Sequence, residues 1–307
     1  MRILVCGASG QVGHELVDRA RAYGLEALGM TREQLDITDG HRVAELVGQF
    51  KPGLIVNAAA YTHVDNAESQ SEQAYAVNRD GVARLAEAAR QADIPLLHIS
   101  TDYVFSGETV FSERTREAFR ESDPVAPTGV YGASKRAGEV AIQAVLERHV
   151  IVRTSWVYGV HGHNFVKTML RLGQQRDALS VVADQFGCPT QAGSLAEALL
   201  QLAQRYVREG TLAWGLYHYS GHPPCSWFDF AQEIFRQAAA RGLLANVPQV
   251  SAITTAQYPT PARRPAWSVL DCTKFEQTFG IAPRDWHDDL ASVLDTLAGH
   301  SAATANV

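Results

Sequence analysis

Tyr131 and Lys135, four residues apart in "VYGASK", are the residues in this chain best suited to moving a proton. A phenol one helical turn before an ammonium can serve as a general acid. A free tyrosine, with a pKa of about 10, gives up its proton slowly at neutral pH. A neighbouring ammonium favours the phenolate and lowers that pKa. Spacing alone does not decide the matter, because Tyr and Lys at this interval are equally ordinary packing beside a solvated charge. The chemistry also needs a hydroxyl to hold a substrate oxygen beside the phenol. Thr101 or Ser100 in "STDYVF" supplies one. Such a set suits hydride addition to a ketone, where charge forms on oxygen and a proton must follow.

A hydride source needs its own site. "GASGQVG" places Gly7, Gly10 and Gly13 directly after an apolar run and at the start of an amphipathic stretch. The spacing is GxxGxxG. Glycines there allow a tight turn, close approach to a pyrophosphate and close helix–strand packing. The helix start then offers free N–H groups and a positive dipole to the phosphates. Thr31 and Arg32, after the second apolar run, suit the 2′-phosphate of NADPH, with NADH as the alternative cofactor. Arg32 is equally readable as a solvated surface residue. Asp36 and Ile37 follow where an adenine ring would sit.

These residues need a scaffold. "RILVC", "LEALG", "GLIVNAA", "PLLHIS" and "HVIVRTSW" read as strands buried on both faces. They alternate with helical stretches, "GHRVAELVGQF" after an Asp39 cap among them. That alternation predicts an α/β fold, a doubly wound parallel (Rossmann-like) sheet with helices on both sides. Ligands then lie at the carboxyl ends of the strands, where "NAAAYT", "STDYVF" and "TSWVYG" put their polar residues. The rhythm changes after residue 160. We expect a dinucleotide-binding domain over 1–160, with some later segments returning to it. A smaller mixed α/β substrate-binding region would span 161–295, and a fraying tail 296–307.

The chain has 307 residues and a net charge of −6, and no basic run stands out, so a nucleic-acid partner is not expected. Four scattered cysteines read as free thiols, and no apolar run is long enough for a membrane span. A cytoplasmic location is the expectation. Metal chemistry is not expected either: the 11 histidines form no HExxH motif, and His161 and His163 flank Gly162 in a stretch that reads as a loop.

The motifs "GASGQVG", "IVNAAAYTHVDNAE", "ISTDYVFSG", "YGASKRAGE", "RTSWVYG", "DQFGCPT" and "RRPAWSVLD" follow one another in order. In this the chain resembles the extended short-chain dehydrogenase/reductases and, within them, the dTDP-4-dehydrorhamnose reductase group, from Arg2 to about Leu290. The resemblance implies Tyr131 as proton donor, Lys135 as its partner and ribose ligand, and Thr101 as the third catalytic residue. It implies Gly7, Gly10, Gln11 and Val12 at the pyrophosphate, Asp36 and Ile37 at adenine, and Ala58, Ala59 and Tyr61 along the cofactor cleft. Asn78 would brace the strand ends, and Asp102, Tyr103, Phe105 and Trp156 would border the sugar. The implied reaction is reduction of the C4 ketone of a dTDP-4-dehydro-6-deoxysugar to dTDP-L-rhamnose. The alternatives are another nucleotide 4-ketosugar, or a non-catalytic regulator like the methionine adenosyltransferase β-subunits. The implied partners are a nucleotide-sugar substrate and, as an assembly, a homodimer. Two departures stand out. The stretch from 106 to 130 looks long for the group. Some members hold magnesium between subunits through glutamates. Glu15 would suit that, but Ser194 stands where a second acid is expected, so no metal is predicted.

Overall fold

The computed structural model describes residues 1–107 and 117–305. Part of the long stretch before Tyr131, residues 108–116, lies outside them. Five apolar runs become the strands β1 (Arg2–Cys6), β2 (Glu26–Met30), β3 (Leu54–Asn57), β4 (Leu96–Thr101) and β5 (His149–Thr154). A sixth strand, Gly215–His218, completes an all-parallel sheet. From one edge the order is Gly215–His218, β5, β4, β3, β1, β2. The direction of winding reverses between β1 and β3, which is where such sheets hold their ligands.

The two-residue period of a strand sends alternate side chains to opposite layers. Ile3, Val5, Leu54, Val56, Val150 and Val152 pack beneath α1 (Gln11–Arg19) and a later helix, Ala192–Glu209. Leu4, Cys6, Ile55, Leu96 and Ile151 pack beneath α2 (Gly40–Phe50), α5 (Val82–Gln91) and α6 (Val130–Val145). The sheet is therefore doubly wound, as the continuous apolar runs predicted. Asp39 does cap α2, its carboxylate accepting from the Arg42 N–H at 3.0 Å. Short α3 (Val64–Ala67) and α4 (Ser71–Tyr75) precede a π-helical turn, Ala76–Gly81, that leads into α5.

A further apolar cluster lies outside the sheet. There Phe165–Gly173, Trp227–Ala240 and Trp286–Ala305 are helices, and Ala178–Val182 pairs in parallel with Gln249–Ile253. The last helix runs through 296–305, where a fraying tail is the expectation from sequence. The helix Ala192–Glu209 and the strand Gly215–His218 come from the second half of the chain yet finish the first layer. All four cysteines are buried free thiols. Among the described residues, no helix is long and apolar enough to cross a membrane.

Candidate active site

The glycine loop forms one wall of a cleft of about 440 Å³ at the carboxyl ends of β1 and β3. Gly7 takes φ +81°, and a Cβ there would stand 2.6 Å from the Ala59 nitrogen. Only glycine brings β1 this close to the "NAAAY" turn. Gly10, Arg32, Asp36, Ile37, Ala58, Ala59 and Tyr61 all line the cleft. Its open floor, the free start of α1 and a guanidinium at the rim fit a dinucleotide with an extra phosphate. Thr31 is turned into its own turn, its N–H donating to Gln34 at 2.9 Å, and does not line the cleft. Val12 is buried under the sheet. The Gln11 side chain reaches away from the loop, donating to the Val157 carbonyl and accepting from Asn164 at 3.0 Å. Gln11 and Val12 can therefore meet a pyrophosphate through their backbone at the helix start, not through their side chains.

The residues that the sequence suggested for proton transfer lie where β4 meets α6. Gly132 lets the helix approach, since a Cβ there would stand 2.1 Å from the Tyr103 carbonyl. The start of α6 has no side-chain cap of its own. Glu68 supplies one from the "VDNAE" motif, accepting from the Val130 N–H at 2.8 Å. Asn78 ties the next loop to the same helix. It accepts from the Tyr61 N–H at 2.8 Å and donates to the Tyr61 carbonyl and to Ser134 at 3.0 Å. Its π-helical turn makes room for this, and Gly138 packs against its carbonyl.

Tyr131 is half-buried, and its ring meets that of Tyr103 edge-on at 5.6 Å. Burial pushes its hydroxyl well above the usual tyrosine range. A hydrogen bond with Thr101 pulls it back in part, and the Asp102 and Tyr103 charges add to the rise. The expected lowering by Lys135 is not seen. The ammonium lies between the Ile99 carbonyl at 2.7 Å and His98 Nε2 at 3.3 Å, and its charge is not among those acting on Tyr131. Burial itself lowers Lys135 to about 8, with Glu139 opposing. Thr101 is buried at the strand end; it accepts from the Tyr103 N–H at 3.2 Å and lies 3.0 Å from Asp102. Ser100, the other hydroxyl considered, is instead committed to Glu139 at 2.6 Å.

Asp102 is buried, and burial raises its carboxyl to about 6 against hydrogen bonds that lower it. Ser268 acts on that carboxyl without completing a bond of ordinary geometry to Oδ2, which is left unpartnered, as is Thr154 Oγ1. Two unsatisfied buried oxygens at the ends of β4 and β5 mark a polar surface prepared for a ligand. Tyr103 accepts from Arg264 at 3.0 Å, and Arg264 also grips Asp65 at 2.7 Å. Trp156 sits at φ +47°, stacked on Trp227 with ring centroids 3.5 Å apart. A bulky residue in that conformation is strained, as positions fixed for function often are. Phe105 differs from expectation. It is buried, stacked on Phe119 at 4.3 Å beneath Arg153, and faces the core instead of a sugar.

Beneath the site, Arg153 and Glu139 form a fully buried pair with contacts of 2.7 and 2.8 Å. Arg136 adds a contact at 2.9 Å. Neither Glu139 nor Arg153 was singled out from the sequence. The signal was there: Arg153 interrupts the apolar run "HVIVRTSW", and a charge inside a buried strand needs a partner. Glu15 pairs with Arg19 at 2.7 Å, and Arg19 also meets Glu197 at 2.7 Å. Ser194, where an acid was expected, lies 2.6 Å from Asp289. His14, Asp18 and His161 bring three donor atoms within 4.8 Å of one another, but the two imidazoles stack nearly parallel at 3.6 Å and their lone pairs do not converge.

A family model described as "RmlD substrate binding domain" matches residues 1–298. The chain belongs to this family. It is 47% identical over 296 residues to the dTDP-4-dehydrorhamnose reductase of Aggregatibacter actinomycetemcomitans, covering 95% of this chain and 98% of the relative. Among solved structures, a dTDP-4-dehydrorhamnose reductase from Clostridium acetobutylicum superposes with a TM-score of 0.87 at 38% identity, covering 97% and 99% of the two chains. The Bacillus anthracis dTDP-4-dehydrorhamnose reductase, solved in complex with NADP, superposes at 0.86 with 34% identity over 96% and 99%. The family match runs over residues 1–298, so both the cofactor cleft and the aromatic region around Trp156 fall within the shared fold.

Proposed function

We propose that this protein is an NADPH-dependent dTDP-4-dehydrorhamnose reductase. It would reduce the C4 ketone of dTDP-4-dehydro-6-deoxy-L-mannose to give dTDP-L-rhamnose. The observation that carries this reading is the placement of Tyr131 and Lys135, one turn apart on α6, with Thr101 at the end of β4, beside a dinucleotide cleft. NADPH bound in that cleft supplies hydride to C4. Gly7 and Gly10, whose own N–H groups are taken by Met30 and Gly7 carbonyls, would let the pyrophosphate approach the free backbone N–H groups of Gln11 and Val12 at the start of α1. Arg32 would face the 2′-phosphate, and Asp36 and Ile37 would flank adenine. Tyr131 donates its phenolic proton to the C4 oxygen, and Thr101 holds that oxygen in place with a hydrogen bond. Lys135 serves the ribose and resupplies the proton. Asp102, Tyr103 and Trp156 border the sugar, and the protein works in the cytoplasm.

The test couples the purified protein to the upstream 3,5-epimerase product with NADPH. NADPH oxidation and a product co-eluting with dTDP-L-rhamnose support the reading. Turnover only with a different nucleotide 4-ketosugar replaces the substrate. Tyr131→Phe should retain NADPH binding and lose most turnover, and near-normal turnover would remove Tyr131 as donor.

A further inference from the structure

We propose that His98 is a positioning residue for Lys135: Asn57 holds its ring in the Nε2-protonated tautomer, and that N–H favours the neutral amine at the lysine nitrogen. This deepens the reading above and depends on it only for what Lys135 does in turnover.

The direction of each hydrogen bond follows from a backbone group whose role is fixed. The Ala59 N–H can only donate, and it lies 3.0 Å from Asn57 Oδ1. The carbonyl side of the Asn57 amide is thereby assigned. The NH₂ side faces His98 Nδ1 at 3.0 Å. An NH₂ group only donates, so Nδ1 must carry a lone pair. A neutral imidazole has one N–H, which then sits on Nε2. Nε2 is 3.3 Å from Lys135 Nζ, and Nζ is 2.7 Å from the Ile99 carbonyl, which only accepts.

An ammonium at Nζ has donors and no acceptor, so it would set donor against donor at Nε2. A neutral amine resolves the conflict by donating to Ile99 and turning its lone pair to His98. Protonating His98 instead would set its Nδ1–H against the Asn57 amide. The ring, moreover, is fully buried. Burial first, then the charges of Lys135 and His149, hold it well below the usual imidazole range. The groups packed around the pair are few. Asn57 comes from β3, His149 from β5, and Glu139 from α6. Glu139 alone favours the ammonium, and its oxygens are already taken by Arg153, Arg136 and Ser100. Lys135 therefore titrates near the working pH, in the range where it can both take and return a proton.

The experiment reads this in the full-length protein without cofactor. Ring ¹⁵N shifts report the His98 tautomer, and ¹³Cε titration reports the lysine pKa values, with Lys135→Met to assign the signal among the chain's four lysines. The expected tautomer is Nε2–H. The expected Lys135 pKa lies below the ordinary lysine value of 10.5. In His98→Gln the side-chain amide can turn its oxygen to Nζ, so the Lys135 pKa should rise by about one unit or more. An Nδ1–H tautomer overturns the proposal, and so does a Lys135 pKa unmoved in His98→Gln. If that variant does not fold, the wild-type tautomer still decides. Neither readout requires turnover, so a failure of the assigned substrate would leave this test standing.

Discussion

Replacing Glu139 with Gln removes one charge from the buried pair under the active site and keeps its shape. In the native protein Arg153 donates to both oxygens of that carboxylate, pairs with Ser100 across β4 and β5, and is almost completely buried. Its remaining neighbours are His218 at 3.5 Å and the Phe105 ring at 5.1 Å, neither of which can balance a full charge. Breaking such a pair on one side costs about 3–5 kcal/mol, because the surviving ion stays out of water. For a chain of this size that corresponds to a fall in Tm on the order of 5–8 °C. The pair also carries a pH signature. Burial raises the Glu139 pKa, but Arg153, Ser100 and Arg136 outweigh it and hold the carboxyl below its ordinary value of 4.5. A depressed acid contributes stability that is complete above the unfolded pKa and lost as pH falls through the folded one. Denaturant unfolding of both proteins from pH 7 down to the onset of acid unfolding should show a loss in Glu139→Gln at neutral pH that narrows below pH 4.5. The double change Glu139→Leu with Arg153→Met should recover part of the loss, since no ion is left unpaired. A single-variant loss under about 1 kcal/mol, or a double variant worse than the sum of the singles, would refute this account of the pair.

The cofactor cleft and the strand ends give three more expectations. Gly7→Ala places a Cβ 2.6 Å from the Ala59 nitrogen in a left-handed conformation. It should cost on the order of 2–4 kcal/mol and weaken NADPH binding by titration calorimetry. Arg32→Ala should reduce the preference for NADPH over NADH by roughly tenfold to a hundredfold in Kd, the worth of a charge-assisted bond to phosphate. An unchanged ratio would take Arg32 out of that site. Asp102 has a raised carboxyl pKa, about 6 against an ordinary 3.8, so its contribution to stability is present below the unfolded value and is lost as pH rises through 6. Asp102→Asn should therefore gain up to about 3 kcal/mol above pH 7 by denaturant unfolding and lose substrate affinity, while gaining nothing at pH 4.

The sheet was legible because strands buried on both faces cannot hide their composition. Ile3, Leu4 and Val5 are apolar in succession because alternate residues meet different helix layers. The glycine loop was legible because Gly7 is at a conformation and a distance that forbid any side chain. What the sequence did not show depends on contacts between distant residues. "VDNAE" was recognised as a motif, yet its purpose emerges only in three dimensions, with Asp65 holding Arg264 and Glu68 capping α6. Phe105 was misjudged because "STDYVF" places it one turn beyond a strand end, where either a cleft or the core was open to it. The return of the chain at Phe119 closed that choice, stacking on Phe105 and pairing with Val269 and Asp271 across the backbone. His98 hid inside "PLLHIS", where a histidine among apolar residues looks like a satisfied core residue. It is one, and the partners that satisfy it are Asn57 and Lys135.

The pKa argument from sequence also changes direction. A neighbouring ammonium was expected to draw the tyrosine towards phenolate. Burial instead keeps Tyr131 protonated and favours the uncharged form of Lys135, each for the same reason: charge is costly at these strand ends. For ketone reduction this is the useful state. When hydride adds to C4, the carbonyl oxygen becomes an alkoxide far more basic than a phenolate, so proton transfer from a neutral phenol is downhill even with its pKa raised. A phenolate would have no proton to give. The reverse reaction, oxidation of an alcohol, would need Tyr131 to lose its proton first, against the whole burial penalty. The site as folded thus favours donation over abstraction.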